Sequence, residues 1–200
     1  MASPIMDNFA IEPVDDEHLV PVWEGPIPLR RSVAPPMVWL LGAHGGAGVS
    51  TLAHQLGVAG DARRRWPSGR FPDQESPLVL VVAGEHASGL DAASDVLRQH
   101  LSGQGSDAHL VGLVTVAQTK GKLPTSLDYR LRTLSDIAPR TWRIPYAEGY
   151  HTHTPAELPS WAPGQEIVRP RRWDPTKVVL PEIETLGCDL VDTVNAFLQH

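Results

Sequence analysis

The fold is decided by one stretch, Val38-Trp39-Leu40-Leu41-Gly42-Ala43-His44-Gly45-Gly46-Ala47-Gly48-Val49-Ser50-Thr51. The apolar run at its start predicts a buried strand, and residues 51–60 have the spacing of a helix. The glycines between them allow turns that direct backbone N–H groups inward, and the helix adds its positive end at the same place. We call residues 42–51 the glycine loop. A strand, a glycine-rich loop and a helix in this order predict an anion cradle at the carboxyl end of the strand.

Apolar runs and amphipathic stretches alternate after the glycine loop. Strands are predicted at residues 78–82, 110–116 and 142–144, and no apolar run marks a strand between residues 60 and 77. Helical spacing is carried by three sets of apolar residues: Leu90, Ala93, Leu97 and Leu101; Leu127, Leu131, Leu134 and Ile137; and Ile183, Leu186, Leu190, Val194 and Phe197. This alternation predicts an α/β fold with three layers and a mostly parallel sheet, ending in a C-terminal helix.

The glycine loop also supplies the candidate binding residues for a phosphate or another anion. They are Gly42, His44, Gly45, Gly46, Ala47, Gly48, Val49, Ser50 and Thr51. Two alternatives stay open for individual side chains. His44 either donates to the anion when protonated or is an exposed loop residue. Ser50 and Thr51 either contact the ligand or form only a helix N-cap pair.

The motif Gly-Gly-x-Gly-x-Ser-Thr resembles the deviant loop of the ParA/MinD branch of P-loop ATPases, and the resemblance extends over residues 37–150. In that family one lysine stands at the start of the loop and another precedes the Ser/Thr pair. Those two positions are His44 and Val49 here. Each lost charge-assisted hydrogen bond costs about 1.5–3 kcal/mol of ligand binding. The resemblance therefore implies weak binding of ATP with magnesium, through Ser50, and hydrolysis at the background rate. It places residues 118–122 and 145–148 near the adenine.

ParA/MinD proteins also carry a strand that ends in an aspartate after the loop helix, the Walker B acid. The absence of an apolar run in residues 60–77 predicts that this strand is deleted. If residues 78–82 form the Walker B strand instead, the acid is Glu85. Both alternatives stay open.

Composition and the distribution of prolines divide the 200 residues into four segments. Residues 1–36 form a proline-rich acidic tail that we expect to be extended, with residues 20–23 either docked or free. Residues 37–150 form the P-loop-type domain, residues 151–181 a Pro/Trp-rich segment that wraps it, and residues 182–200 the last helix. No apolar run approaches the ~20 residues of a membrane span. The single cysteine, Cys188, and the absence of a secretory pattern predict a cytoplasmic protein.

Two basic clusters and one histidine pair are weaker signals. Arg169, Arg171 and Arg172, followed by Trp173, predict either a DNA backbone contact or a solvated loop. Residues 63–65, three consecutive arginines after the loop helix, have the same two interpretations. His151 and His153 lack a third metal ligand in the sequence around them, so no metal site is predicted.

The sequence leaves three interpretations of function open. The first is a non-catalytic ParA/MinD-like scaffold for a protein partner, in DNA partitioning, transfer or positioning of an assembly. The chain also resembles uncharacterised proteins from mobile elements of high-GC bacteria. The second is a weak ATP-binding switch in which a lysine from outside the glycine loop contacts the nucleotide, with Lys120 and Lys122 as candidates. The third is an adaptor that binds its partner through the Pro/Trp-rich tails.

Overall fold

The computed structural model describes residues 12–29, 34–165, 167, 171 and 174–199. Five strands form one parallel sheet in the order β2-β1-β3-β4-β5. The strands are β1 (Val38–Gly42), β2 (Ala59–Asp61), β3 (Leu78–Gly84), β4 (His109–Val116) and β5 (Thr141–Ile144). The predicted α/β fold with a parallel sheet is confirmed. The glycine loop leaves β1, which lies between β2 and β3.

Helices cover both faces of this sheet. They are α1 (Val49–Gln55), α2 (Ala87–Leu101), α3 (Thr125–Ile137), α4 (Gly149–Thr152) and α5 (Pro181–Leu198), with short 3-10 turns at Asp16–His18 and Pro155–Glu157. None of these described helices is long and apolar enough to cross a membrane. The predicted C-terminal helix is confirmed as α5.

Successive side chains of β1 enter two separate cores, as the pleat of a strand requires. Val38 and Leu40 pack with α1 and α5, whereas Trp39 and Leu41 pack with α2 and α3. The same alternation holds along β3, where all seven residues are buried. A strand buried on both faces has no polar side, which explains its continuous apolar sequence.

Strand β2 corrects two of our expectations. The predicted helix over residues 51–60 ends at Gln55, and a three-residue strand, Ala59–Asp61, follows where we expected none. This strand lies at the edge of the sheet and pairs with β1 alone. A Cβ atom on Gly60 would lie 2.8 Å from the ring of Trp39 and 2.7 Å from Pro36. The close approach of these two rings requires glycine, so β2 forms without an apolar run.

The described flanking segments lie against the domain. In the N-terminal segment, Ile27 is buried. Trp23 donates hydrogen bonds to the carbonyl groups of Ala62 and Trp66, in the turn after β2. In the segment after α4, Trp161 is buried against Gly187 of α5, where a Cβ atom would lie 2.4 Å from the indole. Trp173 lies outside the described residues. Residues 20–23, for which a docked and a free arrangement were both open, are docked on the domain through Trp23.

Candidate ligand-binding site

A cavity of about 660 Å³ lies over the carboxyl ends of the strands. The glycine loop forms one wall, and all the predicted binding residues line it: Gly42, His44, Gly45, Gly46, Ala47, Gly48, Val49, Ser50 and Thr51. The other walls come from the ends of β2, β4 and β5 and from α4. This volume is within the range of small-molecule sites, about 300–1,000 Å³.

Two glycines give the loop its shape. Gly46 and Gly48 have φ values of 79° and 95°, in the left-handed region that residues with a Cβ atom rarely enter. Gly48 is also the N-cap of α1, and no side chain caps this helix. The interpretation of Ser50 and Thr51 as a helix N-cap pair is therefore wrong. Both residues line the cavity, and their hydroxyl groups make no hydrogen bond to another residue that the structure describes.

His44 braces the loop against β3. Its Nε2 accepts the backbone N–H of Gly84 at 2.9 Å, and its Nδ1 donates to the carbonyl of Gly45 at 2.8 Å. These two partners require a neutral imidazole that carries its proton on Nδ1. Both ring nitrogens are thus occupied, so His44 in this conformation offers no donor to an anion.

A second histidine packs beside His44. His86 caps α2 by accepting the N–H of Gly89 at 3.1 Å, and its ring meets that of His44 edge to face at 4.8 Å. Burial, and then the neighbouring His44, lower the pKa of His86. Gly89 approaches both histidines and β3 closely, since a Cβ atom there would lie 2.4 Å from the carbonyl oxygen of Gly84 and 2.9 Å from Nε2 of His44. The end of β3 is therefore tied to both the glycine loop and α2.

Glu85 is engaged in a buried ion pair. Arg143 donates to both of its carboxylate oxygens at 2.7 Å, and the Thr115 hydroxyl donates at 2.9 Å. The Glu85 side chain is 1% exposed, whereas that of Arg143 is 43% exposed. The hydrogen bonds that Arg143 donates to Glu85 raise the pKa of Arg143. Glu85 does not line the cavity, so it is not placed to hold a magnesium ion there.

The turn after β2 brings two arginines to the cavity. Arg63 and Arg64 both line it, and the Nη1 atom of Arg64 lies 4.0 Å from where a Cβ atom on Gly45 would be. Both residues have positive φ, 56° and 55°, which is unusual for two consecutive residues with side chains. Asp61, at the end of β2, accepts the backbone N–H of Arg63 at 2.7 Å. The cavity wall next to the glycine loop therefore carries positive charge.

The wall near β5 is mostly apolar. Ile144, Ala147 and Tyr150 line it, and burial raises the pKa of Tyr150, which keeps its phenol neutral. His151 also lines this wall and stacks on Tyr146, with ring centroids 5.1 Å apart. The cavity thus has a cationic side at β2 and an apolar, aromatic side at β5, which are the two opposite edges of the sheet.

The other predicted site residues do not join this cavity. Lys120 pairs with Glu148 at 3.1 Å, and neither Lys120 nor Lys122 lines the cavity. Among the residues that the structure describes, no cluster of three or more metal-ligating side chains exists around the histidine pair or elsewhere. In the predicted DNA-binding cluster, Arg171 is exposed, while Arg169, Arg172 and Trp173 lie outside the described residues.

Sequence reasoning missed Asp61, Arg63 and Arg64 as cavity residues. The run of arginines at residues 63–65 was a signal, but it did not distinguish a binding turn from a solvated one. The distinction depends on β2, which no apolar run predicted.

The fold and the cavity define a three-layer α/β protein with a ligand-sized site at the carboxyl edge of its parallel sheet. Residues 36–162 match the sequence model of a family of unknown function, DUF6668, and the chain belongs to this family. No curated protein and no solved structure shows detectable similarity to the chain.

Proposed function

We propose that this protein binds a phosphorylated ligand of nucleotide size without hydrolysing it, as a non-catalytic ParA/MinD-like scaffold or regulatory protein. The observation that carries the proposal is the cavity of about 660 Å³ between the glycine loop and the ends of β4 and β5. Ligands of open α/β sheets bind in this position, outside the carboxyl ends of the strands.

The chemistry of the walls suits a nucleotide. Arg63, Arg64 and the free hydroxyl groups of Ser50 and Thr51 are partners for phosphate oxygens, and they lie on one side of the cavity. The apolar wall around Tyr150 suits a base. Strands β2 and β5 are four strand spacings apart, roughly 19 Å at about 4.8 Å each. A nucleoside di- or triphosphate is an elongated molecule that extends over most of such a distance.

Binding without turnover is favoured by the residues at the catalytic positions. His44 and Val49 stand where the resemblance to ParA/MinD proteins expects lysines, and Glu85 is neutralised by Arg143. A phosphoryl transition state needs cations and a positioned water beyond what the ground state needs. A ligand that is bound and kept intact can act as a signal for a protein partner, which is the scaffold role that we propose.

Two measurements on the full chain test the proposal. Isothermal titration with ATP and ADP is expected to show saturable binding, and a phosphate-release assay is expected to show no turnover above the buffer control. Absence of nucleotide binding at millimolar concentration overturns the proposal. Magnesium-dependent turnover overturns its non-catalytic part if Ser50→Ala abolishes the activity and Ser126→Ala, an exposed serine of α3 outside the cavity, preserves it.

A further inference from the structure

We infer that Arg63 and Arg64 supply the cationic contacts to the phosphates of a nucleoside di- or triphosphate, in place of the lysines that the glycine loop lacks, and that this binding does not require magnesium. The inference rests on the proposed function and names the ligand class and the residues that select it.

The position of Arg64 is the first argument. Its Nη1 atom lies 4.0 Å from the Cβ position of Gly45, at the edge of the glycine loop. Its charge therefore reaches the loop from a different strand, β2. A guanidinium presents a planar fork of N–H donors that matches phosphate oxygens in a bidentate arrangement.

The second argument is that the charge of Arg64 is not neutralised within the protein. Arg64 makes no ion pair or hydrogen bond with another residue in the described part of the chain. The guanidinium of Arg63 has one long contact, from Nη2 to the Pro28 carbonyl at 3.4 Å. In contrast, Arg65 stacks on the Trp23 ring at 5.0 Å and does not line the cavity. Arg65 is thus a matched control in the same turn.

The third argument is that the turn is held in an unfavourable backbone conformation by the N-terminal segment. Trp23 donates from Nε1 to the Ala62 carbonyl at 3.0 Å and from its backbone to the Trp66 carbonyl at 2.9 Å. The Trp66 backbone in turn donates to Pro21 at 2.9 Å. These bonds hold Ala62 and Trp66, which flank the turn. Arg63 and Arg64 lie between these two residues and have positive φ values. Strain of this kind persists where the surrounding structure imposes it, often at binding sites.

The magnesium part of the inference rests on charge. Asp61 ends the strand that follows the loop helix and is the single carboxylate that lines the cavity among the described residues; its Oδ1 accepts the N–H of Arg63, which leaves one oxygen for a cation. Two guanidinium groups provide the positive charge that a magnesium ion otherwise supplies to phosphate groups. Two arginines offer contacts for more than one phosphate group, so we expect ATP, ADP and pyrophosphate to bind more tightly than AMP.

The test compares ATP, ADP, AMP and inorganic pyrophosphate by isothermal titration, in EDTA and in magnesium. The full-length chain is compared with Arg63→Gln, Arg64→Gln and the control Arg65→Gln. Each of the first two changes is expected to weaken ATP and ADP binding by about 10- to 100-fold, the loss of one charge-assisted contact. Arg65→Gln should stay within about twofold of the unchanged protein, and EDTA should not reduce the affinity, because no magnesium ion participates.

The outcomes separate the two proposals. If the unchanged protein binds ATP, and Arg63→Gln and Arg64→Gln bind it equally well, the inference is overturned and the proposed function stands. If EDTA abolishes binding, the magnesium part is overturned. If the unchanged protein binds no nucleotide at millimolar concentration, both proposals fall. Arg64→Gly is the second variant if Arg64→Gln does not fold, since glycine accepts the positive φ.

Discussion

Replacing Arg64 with glycine should make the protein more stable and a weaker binder at the same time. The backbone of Arg64 has a φ of 55°, and its exposed side chain makes no hydrogen bond or ion pair with another described residue, so the folded protein loses neither when that side chain is removed. Glycine enters the left-handed region without steric cost. An ordinary structural residue would behave differently, because its removal lowers stability.

The magnitude follows from two opposing terms. A residue with a Cβ atom pays about 1–2 kcal/mol for the left-handed conformation. Glycine avoids this steric cost, but its larger loss of conformational entropy on folding lowers stability by about 0.5–1 kcal/mol. The net gain for Arg64→Gly then lies between about 0 and 1.5 kcal/mol, with a midpoint of about 0.75 kcal/mol, and a chain of this size gains about 2–4 °C in Tm per kcal/mol. We therefore expect Tm to rise by about 1.5–3 °C at the midpoint while ATP affinity falls about 10- to 100-fold.

Thermal unfolding followed by circular dichroism, together with titration of ATP, measures both effects. The control is Arg65→Gly, where φ is not positive and the side chain stacks on Trp23. That change loses the stacking and gains entropy in the unfolded state, so it should cost about 1–2 kcal/mol and leave ATP affinity intact. A fall in Tm for Arg64→Gly with unchanged affinity would refute the reasoning.

Three further predictions concern the surroundings of the cavity. Arg143→Gln should destabilise the protein by about 3–5 kcal/mol in urea unfolding, because it leaves the buried Glu85 carboxylate without its cation. Glu85→Gln should cost less, about 1–3 kcal/mol, because the half-exposed arginine regains water; equal costs would contradict this account. The pKa of His86 is lowered in the folded state, so the stability it contributes is full above pH 6.5 and is lost as the pH falls below that value. His86→Asn, which keeps an acceptor for the N–H of Gly89, should flatten the profile of unfolding midpoint against pH between 7.5 and 5.5, about one unit on either side of the ordinary histidine pKa of 6.5. An unchanged slope would exclude His86 as the source. Val49→Lys places a cation in the cavity wall and should raise ATP affinity about tenfold in titration; no gain in a folded variant would mean that the glycine loop does not approach the phosphates.

Much of the architecture could be predicted from local sequence patterns. The run at residues 38–41 and the glycines after it indicated a buried strand and a tight turn, because continuous apolar residues and left-handed glycines reflect burial and backbone geometry directly. The same patterns drew attention to the glycine loop, which lines the cavity. They did not identify β2, since an edge strand of three residues buries little and contains Gly60 only to admit the Trp39 ring.

The remaining features of the site depend on segments that are distant in the chain. The sequence by itself determined that Glu85 follows a buried strand and that residues 63–65 are arginines. Only the tertiary structure decided that Arg143, 58 residues away, neutralises Glu85. It also decided that Trp23 holds the turn that directs Arg64 toward Gly45. Periodicity reports which side chains are buried, whereas charge pairing depends on which parts of the folded chain come together. That is why the sequence predicted the glycine loop but not the arginines that line the same cavity.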